Sequence, residues 1–208
     1  MGLYKKIYVS EGDMARKTQI SKEVILDSAF NMLLKEGYGA INITSLAKKI
    51  GCSTQPIAWH FGNMEALRSE LLAYCLGFLR DRFVVDETSV SGALDGIALR
   101  YVELAFDYPN LYKYLYMSEQ DGEKMAMMVQ TLRAENRDRV IQMLEKEHGI
   151  TAENAEKYLL NLQIYVHGIS SFAVSKVSFP SKDVVMNMIH DAREAFLMQA
   201  KGGYDNDN

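Results

Sequence analysis

Only three prolines interrupt the 208 residues of this chain, and they lie far apart at Pro56, Pro109 and Pro180. Proline ends or kinks a helix because it lacks a backbone N–H, and it is frequent in turn-rich β proteins. Between the prolines, apolar residues recur at helical spacing, and we find no convincing strand pattern. We therefore predict an all-α fold, with enough residues for one or two domains and a sizeable apolar core.

Glycines, prolines and short polar stretches divide the chain into a small head and a larger body. We expect residues 1–17 to be a flexible N-terminal arm, residues 18–62 to form a three-helix head, and residues 63–201 to form a helical body. Residues 202–208 are polar and rich in glycine, so we expect a disordered tail. In the body, helical periodicity is found at about 92–106, 110–119, 121–147, 152–177 and 181–200.

The first two helices of the head are marked at both ends by residue types that start or stop helices. Ser21 is a preferred N-cap and Gly37 a preferred stop for the periodic segment between them. Thr44 precedes "SLAKKI" and Gly51 follows it. These signals predict a second helix of about two turns that is capped by Thr44.

The stretch "TQPIAWHF" predicts a third short helix, although it contains a proline. We expect Ser53 to cap this helix and Gly62 to end it. Pro56 then falls in the first turn, where backbone N–H groups have no intrahelical partner to lose. Asn63 is placed to cap a fourth helix, which apolar spacing extends to about Arg82.

The third helix has two contrasting faces at 100° per residue. Ile57 and Phe61 are four residues apart and define a side that we expect to be buried, whereas Gln55 and Trp59 point almost directly away from it. Large aromatic side chains are costly to expose to water. Either Trp59 packs under another helix, or this face is offered to a ligand.

Two short capped helices joined by "GCS" predict a helix-turn-helix, whose second helix enters the major groove of DNA. Gln55 can then pair with adenine, Thr54 can donate to a base or a phosphate, and Trp59 can contact a phosphate or thymine methyls. His60, Lys48 and the helix-start amides at Thr44 and Ser45 suit phosphates. The predicted DNA-binding residues are Thr44, Ser45, Lys48, Ser53, Thr54, Gln55, Pro56, Trp59, His60 and Asn63.

Residues 18–72 contain a pattern made of Thr44, Leu46-Ala47, Gly51, Ser53, Ile57, Trp59-His60-Phe61 and Asn63-x-Glu65-x-Leu67. By this pattern the segment resembles the TetR family of transcriptional regulators. The resemblance implies a DNA-binding head joined by a fourth helix to an all-α ligand-binding body. It also implies a homodimer held by a four-helix bundle of the last two helices of each subunit.

Two positions depart from the pattern of that family. The family usually has tyrosine where this chain has Ala58, and lysine where it has Met64. The resemblance implies that both family residues touch the DNA backbone. We therefore expect this chain to lack part of the usual phosphate contact.

The body contains Tyr- and Met-rich segments whose side chains suit irregular apolar ligands, although such residues fill ordinary cores as well. His167 lies within the apolar stretch "LQIYVHGISSFAV" and either bonds to an effector or is a satisfied histidine of the core or of a dimer seam. Gly168 beside it would let another helix approach, which favours the seam. We expect a small hydrophobic or aromatic effector. Its predicted contacts are Phe106, Tyr112, Tyr116, Met128, Tyr165 and His167.

Charge and cysteine usage limit the classes of protein. Residues 1–60 carry 8 Lys and Arg against 5 Asp and Glu, whereas residues 61–208 carry 15 against 22, as expected of a polyanion-binding module on an acidic body. Two cysteines without a metal-ligand spacing argue against a disulfide framework and a zinc site. The sequence shows no signal peptide and no long apolar run, so we expect a cytoplasmic protein that does not enter the membrane.

No catalytic signature is found, and a charge run at Glu145, Glu147 and His148 is expected to be solvated. We expect no metal and no cofactor. The function predicted from the sequence is a homodimeric repressor, released from a palindromic operator in double-stranded DNA by a small molecule. The alternative is an all-α enzyme or small-molecule carrier with a vestigial DNA-binding head.

Overall fold

The structure, a computed structural model, describes residues 20–80, 89–117, 137–175 and 180–202. Within these ranges every regular element is a helix and no strand is found, which confirms the all-α prediction. The predicted arm, residues 1–17, lies outside the described residues, and so does the predicted tail except for Gly202, which ends the last helix.

Three helices and one 3₁₀ turn form the head. The Ser21 side chain accepts a hydrogen bond from the Val24 N–H at 3.3 Å and Gly37 follows the last turn, so both predicted ends of the first helix are confirmed. The elements are α1 (Lys22–Glu36), the 3₁₀ turn (Tyr38–Ala40), α2 (Ile43–Ile50) and α3 (Gln55–Phe61).

The predicted caps of the two short helices were wrong by one or two residues. Asn42 rather than Thr44 caps α2, because its side chain accepts the Ser45 N–H at 2.9 Å while the Ser45 hydroxyl accepts the Asn42 N–H at 3.0 Å. This reciprocal capping box satisfies two N–H groups at once. Thr54 rather than Ser53 is the residue before α3, and its backbone is already helical. Pro56 lies in the first turn of α3, as predicted.

The body begins with a fourth helix, whose predicted cap is confirmed. Asn63 accepts the Ala66 N–H on its side-chain oxygen at 2.9 Å. The predicted segment 121–147 is helical at 137–148, and its earlier part lies outside the described residues. The helices are α4 (Met64–Arg80), α5 (Val90–Asp107), α6 (Pro109–Tyr116), α7 (137–148), α8 (Ala152–Val174) and α9 (Lys182–Gly202).

One continuous apolar core joins the head to the body. It contains Leu33 of α1, Leu71 of α4, Leu111 of α6 and Tyr158 of α8, all almost completely buried. Helix α1 packs against both α4 and α6, so the body contacts the head at two places rather than through the connecting helix alone.

A hydrogen bond fixes α4 to α1 within this core. The Tyr74 hydroxyl donates to a carboxylate oxygen of Asp27, and this bond raises the pKa of Tyr74 to about 12, with a smaller contribution from burial. Beside it, the Phe30 ring lies 5.3 Å from that of Tyr74 and 5.0 Å from that of Phe78. The orientation of α4 relative to the head is therefore set by both polar and aromatic contacts.

Helices α5, α8 and α9 pack against one another and form the far side of the body. Arg193 of α9 is 5% exposed and forms an ion pair with Asp95 of α5. None of the helices in the described ranges has the length and the apolar content needed to cross a bilayer.

Candidate nucleic-acid interface

The two faces of α3 are arranged as its periodicity predicts. Ile57 and Phe61 are 1% and 6% exposed and belong to the core of the head. Gln55 is exposed, and Trp59 is exposed over 68% of its surface. The alternative that Trp59 packs under another helix of its own chain is therefore wrong.

The exposure of Trp59 is energetically unfavourable for a folded domain. Leaving two thirds of an indole in water forgoes roughly 3 kcal/mol of burial free energy. The ring contacts His60 edge-on, with 4.6 Å between centroids, and this contact covers little of it. A surface of this kind on a short, firmly anchored helix fits a partner that covers it.

His60 anchors α3 to the start of the first helix. Its Nε2 lies 2.8 Å from the carbonyl oxygen of Ile20, and because a carbonyl only accepts, the imidazole N–H donates. The sequence predicted His60 as a phosphate contact. The structure gives the Nε2 donor a partner inside the chain, and in the neutral ring Nδ1 is an acceptor that cannot bond to a phosphate oxygen.

The beginning of α2 presents one polar face to solvent. Thr44 and Lys48 are exposed and lie four residues apart, so they project from the same side of the helix. Ser45 was predicted beside them, but its hydroxyl donates to the Ala40 carbonyl at 2.7 Å and its N–H is used in the capping box. Thr44 and Lys48 are therefore the groups of α2 best placed to meet a phosphate.

The turn between α2 and α3 depends on Gly51. Its φ of 79° and ψ of 32° lie in the left-handed region, which glycine adopts without strain. The N–H groups of Gly51 and Cys52 both donate to the Ala47 carbonyl at 3.0 Å. The turn closes tightly and leaves Ser53 and Thr54 exposed at the entrance to α3.

The two residues that depart from the family pattern have different surroundings. Ala58 is exposed beside Trp59, whereas Met64 is half-buried and packs against the core. Asn63 is exposed, and its side-chain oxygen is used as the cap of α4. Neither Ala58 nor Met64 carries a charge, so the expectation that this chain lacks part of the usual phosphate contact stays a prediction.

Some of the predicted effector-binding residues lie close together in the body. The Tyr112 hydroxyl lies 3.2 Å from His167 Nδ1, and the Tyr116 and His167 rings are 5.9 Å apart. Tyr165 contacts Phe196 of α9 with 6.2 Å between ring centroids. Phe106 is partly buried against the core, and Met128 lies outside the described residues.

Two members of this group were not predicted from the sequence. Tyr101 of α5 places its hydroxyl 2.7 Å from His167 Nδ1, and the Ser171 hydroxyl lies 3.0 Å from that of Tyr112. Ser171 is four residues after His167, so helical spacing from the histidine is a signal that could have found it. No comparable signal identifies Tyr101, because the face of α5 that meets α8 is a property of the packing.

An apolar stripe runs along the outward side of α8 and α9. On α8 its members are spaced by four residues, with Leu160 at 50% exposure and Ile164 and Phe172 both at 61%. Gly168 completes this spacing, and an added Cβ there would meet nothing in its own chain. Close approach by a helix of the same subunit is therefore not found at Gly168. On α9 the exposed apolar residues are Val184, Met188 and Met198.

No group of His, Cys, Asp and Glu in the described ranges is arranged to hold a metal ion. Within the predicted charge run, Glu147 accepts the Val90 N–H at 3.0 Å. This carboxylate therefore stabilises the beginning of α5.

Two short helices joined by a glycine turn, the second with an exposed Gln and Trp, define a helix-turn-helix DNA-binding head on an all-α body. Residues 25–71 match the sequence model described as bacterial regulatory proteins, tetR family. This match covers the head and the first part of α4, and it supports a transcriptional regulator similar to those of the TetR family.

One curated relative supports this assignment along most of the chain. The uncharacterized HTH-type transcriptional regulator YobS of Bacillus subtilis (strain 168) is 22% identical over 190 residues, which cover 88% of this chain and 94% of YobS.

Solved structures share the fold at low sequence identity. A TetR-family transcriptional regulator from Rhodococcus sp. aligns with a TM-score of 0.64 at 15% identity, covering 84% of this chain and 97% of that one. A cysteine mutant of the TetR family regulator CifR, complexed with a 26-bp double-strand operator DNA, gives 0.62 at 17% identity, covering 87% and 99%. A TetR variant from Acinetobacter baumannii AYE in complex with minocycline gives 0.56 at 17% identity, covering 86% and 95%.

Proposed function

We propose that this protein is a homodimeric repressor that binds a palindromic operator through α3 and leaves it when a small molecule binds the body. The observation that carries the proposal is the exposed pair Gln55 and Trp59 on a helix whose opposite face is fully buried. Other features of the structure support the phosphate contacts, the two-fold symmetry of the dimer and its release from DNA.

On the DNA, α3 enters the major groove by its N-terminal end. Gln55 reads adenine with its amide, Thr54 donates to a base or a phosphate, and Trp59 covers thymine methyls or a phosphate oxygen. Thr44 and Lys48 bind the phosphate backbone on one side of the groove. Around them lie the other proposed contacts, which are Ser45, Ser53, Pro56, His60 and Asn63.

The outward stripe of α8 and α9 supports the dimer. Exposed leucine, isoleucine and phenylalanine aligned on one helix face are uncommon on a monomer and mark an interaction surface. A second copy of the same stripe is a self-complementary partner, and two helices from each subunit then form a four-helix bundle. A two-fold axis pairs the two α3 helices across about one helical turn of DNA or slightly more. The CifR complex, with its 26-bp duplex, fits this arrangement.

Helix α6 supports the release from DNA, because it contacts both the head and the group around His167 in the body. The Asn110 amide donates to the Leu34 carbonyl of α1 at 3.1 Å, and the Tyr114 ring stacks on Tyr38 at 4.7 Å. On another side of the same eight-residue helix, Tyr112 meets His167. A ligand that moves α6 therefore changes the placement of the head, and differential affinity for the two placements shifts DNA binding.

Selection of binding sites from random duplexes, followed by anisotropy titration of the selected duplex, tests the proposal. We expect a palindrome, and we expect Trp59→Ala to weaken binding at least tenfold. Val24→Ala is the matched control, because Val24 is an exposed apolar residue of the same head on α1. Selection without any preferred sequence, or equal affinity of the Trp59 variant and wild type, would contradict the proposal.

A further inference from the structure

Arg68 of α4 is half-buried, and its innermost nitrogen lacks a hydrogen-bond acceptor. The Nε atom is buried and has no partner among the described residues. The guanidinium carbon lies over the ring of Tyr38, 5.5 Å from its centroid, and that ring also stacks on Tyr114 of α6. A ring face attracts a cation but offers no lone pair to an N–H group. The contact therefore holds the Arg68 side chain without satisfying its donors.

The positive charge of Arg68 is not neutralised inside the described part of the chain. Two other cations of the head are paired, because Lys22 lies 2.5 Å from a carboxylate oxygen of Glu70 and Lys49 lies 3.3 Å from one of Glu36. Arg68 forms no ion pair among the described residues. A charge that is partly removed from water and unpaired is stabilised by an anion from outside the chain.

The position of Arg68 on α4 places it at the end of this helix that adjoins α3. Arg68 follows Met64 by four residues, so the two project from the same side of α4. A long side chain on a helix lies back over the turn that precedes its own Cα. Arg68 therefore covers the surface of the first turn of α4, where the resemblance implies a charged phosphate contact and this chain has Met64.

The ring of Tyr38 places the guanidinium group near the beginning of α2 as well. The 3₁₀ turn that contains Tyr38 ends at Ala40, and α2 begins at Ile43. Thr44 and Lys48, the proposed phosphate contacts of α2, follow directly in that helix. The guanidinium group is therefore close to the beginnings of two helices of the head, and phosphate contacts are expected at both.

The chemistry of the guanidinium group limits the anion that it can take. Its planar fork donates parallel N–H bonds, which match the oxygens of a phosphate or a carboxylate. Double-stranded DNA, the proposed partner of the head, carries about one phosphate charge per 1.7 Å of its axis. A backbone phosphate is therefore the anion that this position meets when α3 enters the major groove.

We propose that Arg68 binds a backbone phosphate of the DNA and provides the contact that Met64 cannot make. This inference rests on the DNA-binding clause of the proposed function. The side chain turns outward from the Tyr38 ring, and Nε and one Nη donate to two oxygens of the phosphate. The buried donor thereby gains an acceptor. Because phosphates carry no sequence information directly, Arg68 strengthens specific and nonspecific binding alike.

The salt dependence of affinity for the selected duplex tests this contact. Each phosphate contact contributes roughly 0.9 to the log–log slope, so Arg68→Gln should lower the slope by about 0.9 per subunit, or about 1.8 per dimer. Arg68→Lys should keep the wild-type slope and lose affinity, because an ammonium group keeps the charge but lacks the planar fork. Arg80→Gln is the matched control, since Arg80 is an exposed arginine at the opposite end of α4 and should leave the slope unchanged.

A purely structural role of Arg68 would not change the slope. A destabilised variant has a smaller active fraction, which shifts the apparent affinity equally at every salt concentration. Duplexes that carry one neutral methylphosphonate in each half-site then locate the contact. At the phosphate that Arg68 binds, wild type and Arg68→Gln should have equal slopes, whereas at the other phosphates the difference between them should persist.

The outcomes distinguish this inference from the proposed function. If Lys48→Gln lowers the slope and Arg68→Gln does not, the assignment of Arg68 is overturned while the DNA-binding proposal stands. An equal effect of Arg80→Gln also overturns it, because the slope would then report overall charge, and so does a scan in which no methylphosphonate removes the difference. If wild type selects no DNA sequence, the proposed function itself fails, and the assignment of Arg68 fails with it.

Discussion

Replacing Ile164 by glutamate should convert the proposed dimer into monomers that remain folded. Ile164 lies in the middle of the outward stripe on α8 and is 61% exposed in the single chain, so the fold of one subunit does not depend on it. Complete burial of an isoleucine side chain contributes about 1.5–3 kcal/mol. Covering the exposed three fifths therefore contributes about 1–2 kcal/mol per subunit, or about 2–4 kcal/mol per dimer.

The expected change in dimerisation follows from these values. Ile164→Glu loses the burial free energy and adds a carboxylate that the interface would have to desolvate. The dissociation constant of the dimer should therefore rise by at least roughly 30- to 1000-fold. Sedimentation velocity over a concentration series measures it, with Val24→Glu as a control at an exposed apolar position of the head.

Two results would refute this reasoning. One is a variant that sediments as the same dimer as wild type at equal concentration, because the stripe would then face solvent in the dimer. The other is a wild-type protein that is monomeric at micromolar concentration. Circular dichroism of the variant must show an unchanged helix content, since an unfolded monomer would say nothing about the interface.

Three further perturbations test the DNA face and the junction between the head and α4. Gln55→Ala should cost about 1–3 kcal/mol of binding free energy and relax sequence preference at one position of each half-site, which repeated site selection with the variant would reveal. Met64→Lys should steepen the log–log salt dependence of DNA affinity by roughly 0.9 per subunit, or about 1.8 per dimer, while identical slopes would show that position 64 does not face the backbone. Tyr74 has a pKa raised from 10.0 to about 12, so its contribution to stability is complete below pH 10 and is lost as pH rises through 12. Urea unfolding of wild type and Tyr74→Phe between pH 9 and 12 should show that loss in wild type only, and parallel curves would remove Tyr74 as its source.

Errors in the predicted caps have a local cause. The segment "NITS" contains several residues that are good N-caps, and the apolar run that follows Thr44 favours Thr44 as the predicted cap. Asn42 caps α2 instead, because only from that position do the Asn42 and Ser45 side chains bond to each other's backbone. This reciprocal geometry, which spacing next to an apolar run does not reveal, places the cap at Asn42.

Features that depend on neighbours along the chain could be predicted from the sequence. Glycines and prolines placed the helix ends within a residue or two, and spacing by four separated Ile57 and Phe61 from Gln55 and Trp59 on α3. Both results follow from backbone geometry that repeats within a few residues, so no distant contact was needed.

Contacts between groups far apart in the sequence could be found only in the packed fold. His60 bonds to the carbonyl of Ile20, 40 residues away, and Tyr101 reaches His167 across 66 residues. Helices α8 and α9 carry apolar residues on two sides, and periodicity cannot tell which side the chain buries against itself and which, with Ile164, it leaves outward. This is because the buried side of a helix depends on how the helix is rotated against its neighbours. That rotation is set by the sum of many weak contacts rather than by any one segment.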